Sequence, residues 1–290
     1  MDYVSDMLRT RRLDKGAIGV EMDAYYFTAA CFESLKRNLP NAKWTDATTL
    51  VNWVRSIKSS REIDYMRQAA RIMDNVMKVA VEAVSPGVRQ CDAAAQIYHA
   101  EVAGTPEYGG DYTSLVPMLP TGLGTSTPHL TWSDAKFVTG EATILELAAA
   151  RHHYHCPQAR TVYLGKPPQK LADAAKVVVE GIANSLAAAK PGNSCEMVEA
   201  AWRATIARHG LTKESRIGYS VGLNYPPDWG EHTMSLRPGD KTVLQPDMTL
   251  HMIPGIWQDD WGIEISECFR VTDKGAEPFC TTPRQLFVKN

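Results

Sequence analysis

Two phrases in this chain echo each other, SPGVRQCDAAAQIY at 85–98 and KPGNSCEMVEAAW at 190–202. Each joins two amphipathic runs, and each pair of runs is followed by short strand-like pieces. A chain ordered as helix pair, strands, helix pair, strands has few layouts open to it, because each half must bury one apolar face against other elements. The order predicts an α+β domain with a pseudo-twofold repeat, its helix pairs packed on a curved, mostly antiparallel sheet. A binding site is expected between the halves.

In the first pair, VRSIKSSREIDYMRQAARIMDNVMKVAVEAV places Ile63, Met66, Ala70, Met73, Val76, Met77 and Val81 near helical spacing. Ser59 or Ser60 can cap this helix with Glu62 in its first turn, and Pro86-Gly87 is expected to end it. CDAAAQIYHAEVAG follows and stops at Gly104. The second pair is LADAAKVVVEGIANSLAAAKPG and CEMVEAAWRATIARHG, each closed by glycine. Strand-like stretches are GGDYTSLVPMLPTG and, after the second pair, IGYSVGL, TLHMIPGIW and GIEISECFRVTD. In front of all this, residues 3–13 predict a short helix, Ile18–Met22 a strand, and AACFESLKRNLP a helix closed by Pro40. This opening starts as if in mid-fold, so a further N-terminal domain is expected before it.

Between the helix pairs lies LELAAARHHYHCPQARTVYLG, Leu145 to Gly165. It places Glu146 at the end of an apolar run, and Arg160, Thr161 and Val162 on a second one. Such a hairpin is a common way to bring a carboxylate to the floor of a pocket, although on spacing alone Glu146 could equally be solvated at an edge. His152, His153 and His155 raise the question of a metal. On a strand their side chains alternate between faces, and no nearby acid or thiolate pattern completes a ligand set.

Composition narrows the function classes. With 44% hydrophobic and 22% charged residues and a formal net charge of -2, the chain reads as soluble and globular, with no nucleic-acid or membrane-surface footprint. Its first fifteen residues contain no apolar signal core, and no run is long enough to span a bilayer. The six cysteines form no CxxC or CxxH pattern, which suits a reduced, cytoplasmic protein.

The chain resembles the pita-bread family of creatinase, methionine aminopeptidase and prolidase. VRSIKSSREIDYMRQAA is similar to that family's opening helix, and PHLTW to the loop that places a substrate-binding histidine. The resemblance covers residues 54–290, and residues 1–53 look like the end of the family's N-terminal domain plus a linker. Metallopeptidases of this family hold two metal ions with two aspartates, a histidine and two glutamates. Matched motif by motif, those positions fall on Glu146, Pro157, Tyr219, Ile253 and Ser266. Proline and isoleucine cannot ligate a cation, so the resemblance implies a member with no metal and no other cofactor, and argues against peptidase chemistry.

One branch of the family accommodates these departures. GVEMDAYYFTAACFESL, GGDYTSLVPMLPTG, PHLTWSD, YHCPQARTVYLG, GLNYPPDWGEHTMSL and WQDDWGIEISE are similar to the bacterial ectoine hydrolases. That resemblance implies metal-independent opening of a cyclic amidine to N-acetyl-2,4-diaminobutyrate, with ectoine, a small zwitterion, as substrate and its hydroxylated form as a second candidate. It also implies a homodimer, and a site closed in part by the N-terminal domain. The implied roles are Glu146 as covalent nucleophile or general base and His129 as proton shuttle or carboxylate contact. Tyr219, Asp228, Trp229, Asp260, Trp261 and Glu264 are expected to line the substrate, since tryptophan faces beside acids suit a delocalised cation. Arg160 could hold the substrate carboxylate bidentately, or pair structurally within the hairpin. Two alternatives stand beside this reading. One is a creatinase-like amidinohydrolase, against which Tyr219 counts because creatinase has a histidine in that phrase. The other is a catalytically silent binder of a zwitterion.

Overall fold

A computed structural model describes residues 1–290, which divide into two compact units, Met1–Arg55 and Ser56–Asn290. The first unit contains α1 (Asp2–Thr10), β1 (Ala17–Val20), α2 (Ala29–Asn38), β2 (Lys43–Asp46) and α3 (Leu50–Arg55). Its two strands pair in parallel, with α2 in the crossover between them. Thr28 starts α2 by accepting the Cys31 N–H on its hydroxyl.

The second unit opens with α4 (Ser60–Ala83) and α5 (Gln90–Ala103). Ser59 and Glu62 form a reciprocal capping box at the start of α4, and the stripe that includes Met66, Met73, Val76 and Met77 is buried. The helix stops at Ala83, before Pro86-Gly87, and the Lys289 ammonium satisfies carbonyls at its end. Nζ lies 2.7 Å from Val81 O, 2.8 Å from Glu82 O and 2.6 Å from Val84 O.

The buried hairpin follows, β3 (Ala142–Arg151) and β4 (Tyr154–Leu164), antiparallel from Ala142↔Tyr163 to Arg151↔Tyr154. His152 and His153 are its two turn residues, both at positive φ (50° and 62°), as a type I′ turn requires. They do not lie on a strand, so the alternation expected for them does not apply. His155 is buried on β4, where its Nε2 accepts the Ser114 N–H at 2.9 Å. The stretch 109–122 is not a regular strand. It follows β3 through isolated bridges at Asp111, Met118 and Thr121, since Pro117 and Pro120 have no N–H to donate.

The second helix pair is α6 (Gln169–Ala188) and α7 (Cys195–Ala207). Gly181 sits inside α6, where glycine costs about 1 kcal/mol, because the Trp202 indole of α7 fills the space a Cβ would need. Then come β5 (Gly218–Val221), β6 (Gly230–Ser235), β7 (Thr249–Met252), β8 (Gly255–Trp257), β9 (Gly262–Glu264), β10 (Glu267–Thr272), β11 (Gly275–Pro278) and β12 (Phe287–Lys289). An antiparallel sheet runs β11-β10-β7-β5-β6, a mixed sheet runs β12-β4-β3 with β12 parallel to β4, and β8-β9 is a separate hairpin. Ser266 N donates to Ala159 O at 3.0 Å and stitches β4 to the junction of β9 and β10. The strand-like phrases TLHMIPGIW and GIEISECFRVTD are each broken in two, at Ile253-Pro254 and at Ile265-Ser266.

The echoing phrases do equivalent work. Gly87 and Gly192 both take positive φ, and their N–H groups donate to Phe137 O and Leu244 O. Arg89 bridges Lys136 just as Ser194 bridges Val243. Each helix pair has its own core, one over β3, β4 and β5 and the other over β6, β7 and β10. The α+β, pseudo-twofold architecture is therefore present, with β3 and β4 at its centre. All six cysteines are free, and no helix is long and apolar enough to cross a membrane.

Candidate active site

Glu146 lies in the middle of β3, opposite Ala159, and its backbone exchanges two 3.0 Å hydrogen bonds with Met118. Those bonds fix the strand so that the side chain enters the interior, where it is 4% exposed. Burial pushes its carboxyl up to about 7, against the opposing pull of the Lys213 ammonium. Glu264, at the end of β9, is tied to β4 by Thr161, whose hydroxyl accepts the Glu264 N–H at 3.0 Å and donates to Glu264 O at 2.9 Å. Burial, and then the charge of Glu146, hold the Glu264 carboxyl well above the ordinary carboxylate range. Two buried acids thus share one region, and Glu146 is the one of the two that ionises more readily. His129 reaches the pair from the loop after the first helices, its Nε2 3.9 Å from Glu146 Oε2.

Behind the carboxylates runs a hydrogen-bonded chain across the sheet. Tyr219 on β5 is in register with His251 on β7. The Trp229 indole N–H donates to the Tyr219 hydroxyl at 2.6 Å, and that hydroxyl is 3.1 Å from His251 Nδ1. His251 Nε2 is 2.8 Å from Ser266 Oγ, which accepts the Ala159 N–H at 2.6 Å. Burial lowers His251 to about 3, so it is neutral, and burial raises the Tyr219 phenol, which stays protonated. Tyr219 and Ser266 occupy two of the positions where the resemblance puts metal ligands, and this network engages both. With Pro157 and Ile253 at two more, Glu146 is the one carboxylate left among the five. No group of three or more histidines, cysteines, aspartates and glutamates is placed to hold a metal ion.

The structure brings Glu146, His129, Glu264 and Tyr219 together, and it reassigns the other candidates. Trp229 is wholly buried, so it supports Tyr219 and offers no ring face to a ligand. Asp228 closes a turn onto the Gly230 N–H and pairs with His232 at 2.9 Å. Asp260 and Trp261 sit at the tip of the β8-β9 hairpin, the end away from Glu264. Asp260 pairs with Lys170 of α6, and the same ammonium lies over the Trp261 ring. Arg160 is not available to a substrate. Its guanidinium, fully buried, donates to Ala159, Ser266, Thr282 and Pro283 carbonyls and to Glu267.

Sequence reasoning missed Lys213, Arg216, His251 and Trp257. Lys213 Nζ lies 4.0 Å above the Trp257 ring, and Arg216 covers the Tyr219 ring at 4.4 Å. Burial brings Lys213 down to about 8 even though Glu264 and Glu146 pull it upward. Both cations come from an aperiodic loop, and His251 from an apolar strand, so neither spacing nor composition marks them.

Comparison with known proteins agrees with this architecture. The chain is 46% identical to the ectoine hydrolase of Halomonas elongata, over all of its own length and 74% of that protein. It is equally 46% identical to an uncharacterized hydrolase/peptidase of Sinorhizobium fredii, again over 74% of the relative. In fold it matches an X-Pro aminopeptidase from Thermotoga maritima with a TM-score of 0.87 at 20% identity, covering 99% of this chain and 78% of that one. A Xaa-Pro dipeptidase from Bacillus anthracis matches with a TM-score of 0.86 at 24% identity and the same coverage. The model of metallopeptidase family M24 matches residues 64–273. The chain has the pita-bread fold and belongs to metallopeptidase family M24.

Proposed function

We propose that this hydrolase opens the cyclic amidine of ectoine, and of hydroxyectoine, to N-acetyl-2,4-diaminobutyrate without a metal ion. The observation that carries this reading is the exchange around Glu146: one buried acid is kept, while Pro157, Tyr219, Ile253 and Ser266 replace the other donors of a dinuclear centre. Such a donor set does not suit two hard divalent ions, which need several oxygen or nitrogen ligands each. The likeness to an ectoine hydrolase supports the same substrate.

The chemistry follows from the charges. An amidinium brings one positive charge to two buried acids, of which Glu146 ionises the more readily, so it docks on Glu146. A Glu146 oxygen adds to the amidinium carbon and gives a tetrahedral adduct. Collapse breaks one ring C–N bond as the departing nitrogen takes a proton, which His129 can deliver. Water then releases Glu146 and supplies the oxygen of the acetyl group. The Trp229–Tyr219–His251–Ser266 chain holds the wall behind the adduct rigid.

The test is incubation with ectoine and with creatine, each with and without EDTA, followed by NMR. Acetylated diaminobutyrate formed equally with and without EDTA, and no turnover of creatine, is the expected result. EDTA-sensitive turnover would overturn the metal-free reading, and turnover of creatine alone would favour an amidinohydrolase.

A further inference from the structure

Most cations set into the second unit have an acid or a carbonyl for a partner. Lys58 meets Glu231 at 2.6 Å, Arg160 meets Glu267, Arg270 meets Asp247, and Lys289 caps α4. Lys213 and Arg216 differ, for neither forms an ion pair. Lys213 rests on the Trp257 ring, and Arg216 rests on the Tyr219 ring with a single long contact of 3.5 Å to Ser235 Oγ. Both belong to the short link between α7 and β5, so one piece of backbone delivers two unpaired cations.

Their place is set by the β8-β9 hairpin. The Trp257 ring folds over Gly255, filling the space a Cβ there would occupy, and Gly255 is the register partner of Glu264. Lys213 therefore stands beside the acid pair and yet is not bound by it. The Trp257 indole N–H is buried without an acceptor, a state that costs about 1–3 kcal/mol. Donors without acid partners are thus gathered next to the two buried acids.

We infer that Lys213 and Arg216 are the receptor for the substrate's carboxylate, which makes the pocket selective for small zwitterions over simple amidines. The inference rests on the amidine-hydrolase reading for its substrate and adds the half of the molecule that Glu146 does not recognise. The ammonium offers three donors and the guanidinium a planar fork, both able to bind a carboxylate beside aromatic faces. A ligand with only an amidinium would leave both cations unmatched.

The experiment compares ectoine with 2-methyl-1,4,5,6-tetrahydropyrimidine, the same ring without its carboxylate. KM and kcat, and Kd by calorimetry, are measured for the wild type and for Lys213→Met, Arg216→Gln and Lys213→Arg, with thermal melts to show that each is folded. The wild type is expected to prefer ectoine by about tenfold or more, the scale of one charged hydrogen bond. Lys213→Met and Arg216→Gln should shrink that preference, and Lys213→Arg should restore most of it. Because the readout is the ratio between the two ligands, a change in Glu146 that affects both equally drops out. A preference unchanged in Lys213→Met and Arg216→Gln, or a wild type that binds the two rings equally or binds neither, overturns the inference. If the wild type turns over neither ring but binds ectoine in a Lys213-dependent way, the carboxylate receptor stands and the hydrolase reading falls.

Discussion

His129 Nε2 lies 3.9 Å from Glu146 Oε2, although the first side chain is 67% exposed and the second 4%. His129 holds a left-handed backbone, φ 65°, at the surface end of this contact. Such a conformation is uncommon outside glycine, asparagine, aspartate and histidine and is found where local structure over-determines it. The pair therefore runs from solvent to a buried acid, as a proton path requires. His129→Asn keeps the backbone preference and removes the shuttle, and it is expected to lower kcat for ectoine by about a hundredfold with little change in melting temperature. An unchanged kcat would remove His129 from the reaction.

The pH dependence follows from two opposed groups. Glu146 must be ionised to attack, and its carboxyl sits at about 7, so kcat/KM should fall as pH drops below that value. Lys213 must be charged to hold an anion, and its ammonium sits at about 8, so kcat/KM should also fall on the alkaline side. A bell confined to neutral pH is expected for ectoine. Lys213→Met should move the acid limb to higher pH, because the cation that favours ionised Glu146 is gone. An acid limb left in place would show that Lys213 does not act on Glu146.

Much of the fold was legible in the sequence because its signals are local. The capping box at Ser59 and Glu62, the apolar stripe of α4 and the glycines at 87 and 192 mark helices and turns by residue type and spacing. The stretch 109–122 misled because its alternating residues look like a strand, whereas the missing proline donors that break it act only at the level of hydrogen bonding. Glu146 was singled out by the hairpin and the family's ligand positions, and Glu264, with Asp260 and Trp261, by the tryptophan-acid phrase. Lys213 and His251 were not, since what makes them important is the company they keep across the fold. Asp260 and Trp261 looked right by composition but point from the wrong end of their hairpin.

Arg160 takes the structural one of the two roles that its sequence position left open. Its five donated bonds end on four carbonyls and on Glu267, so its role is to hold β4 against the C-terminal segment. Arg160→Met leaves Glu267 with Arg284 alone, at 3.1 Å, and should destabilise the protein by about 3–5 kcal/mol. In whatever folds, KM for ectoine should be close to wild type. A large rise in KM with an unchanged denaturation midpoint would return Arg160 to the substrate.

Glu264 gives a stability signature with a definite sign. Its folded-state carboxyl is raised, so the native protein binds a proton that the unfolded chain releases in the ordinary carboxylate range. That contribution is present at low pH and is lost as pH rises through the folded-state value. Glu264→Gln, a mimic of the protonated acid, should raise Tm by about 3 °C or more in alkaline buffer and by nothing near pH 4. A lower Tm at alkaline pH would mean that the ionised acid is the form the fold prefers.

The most direct test of the central claim is rapid quenching of the wild type and Glu146→Gln with ectoine in the presence of EDTA, followed by NMR of the products and mass analysis of the Glu146 peptide. The account predicts acetylated diaminobutyrate from the wild type and at least about a thousandfold less from Glu146→Gln, with the mass of ectoine trapped on the wild-type peptide alone. A Glu146→Gln protein that retains full activity would contradict it.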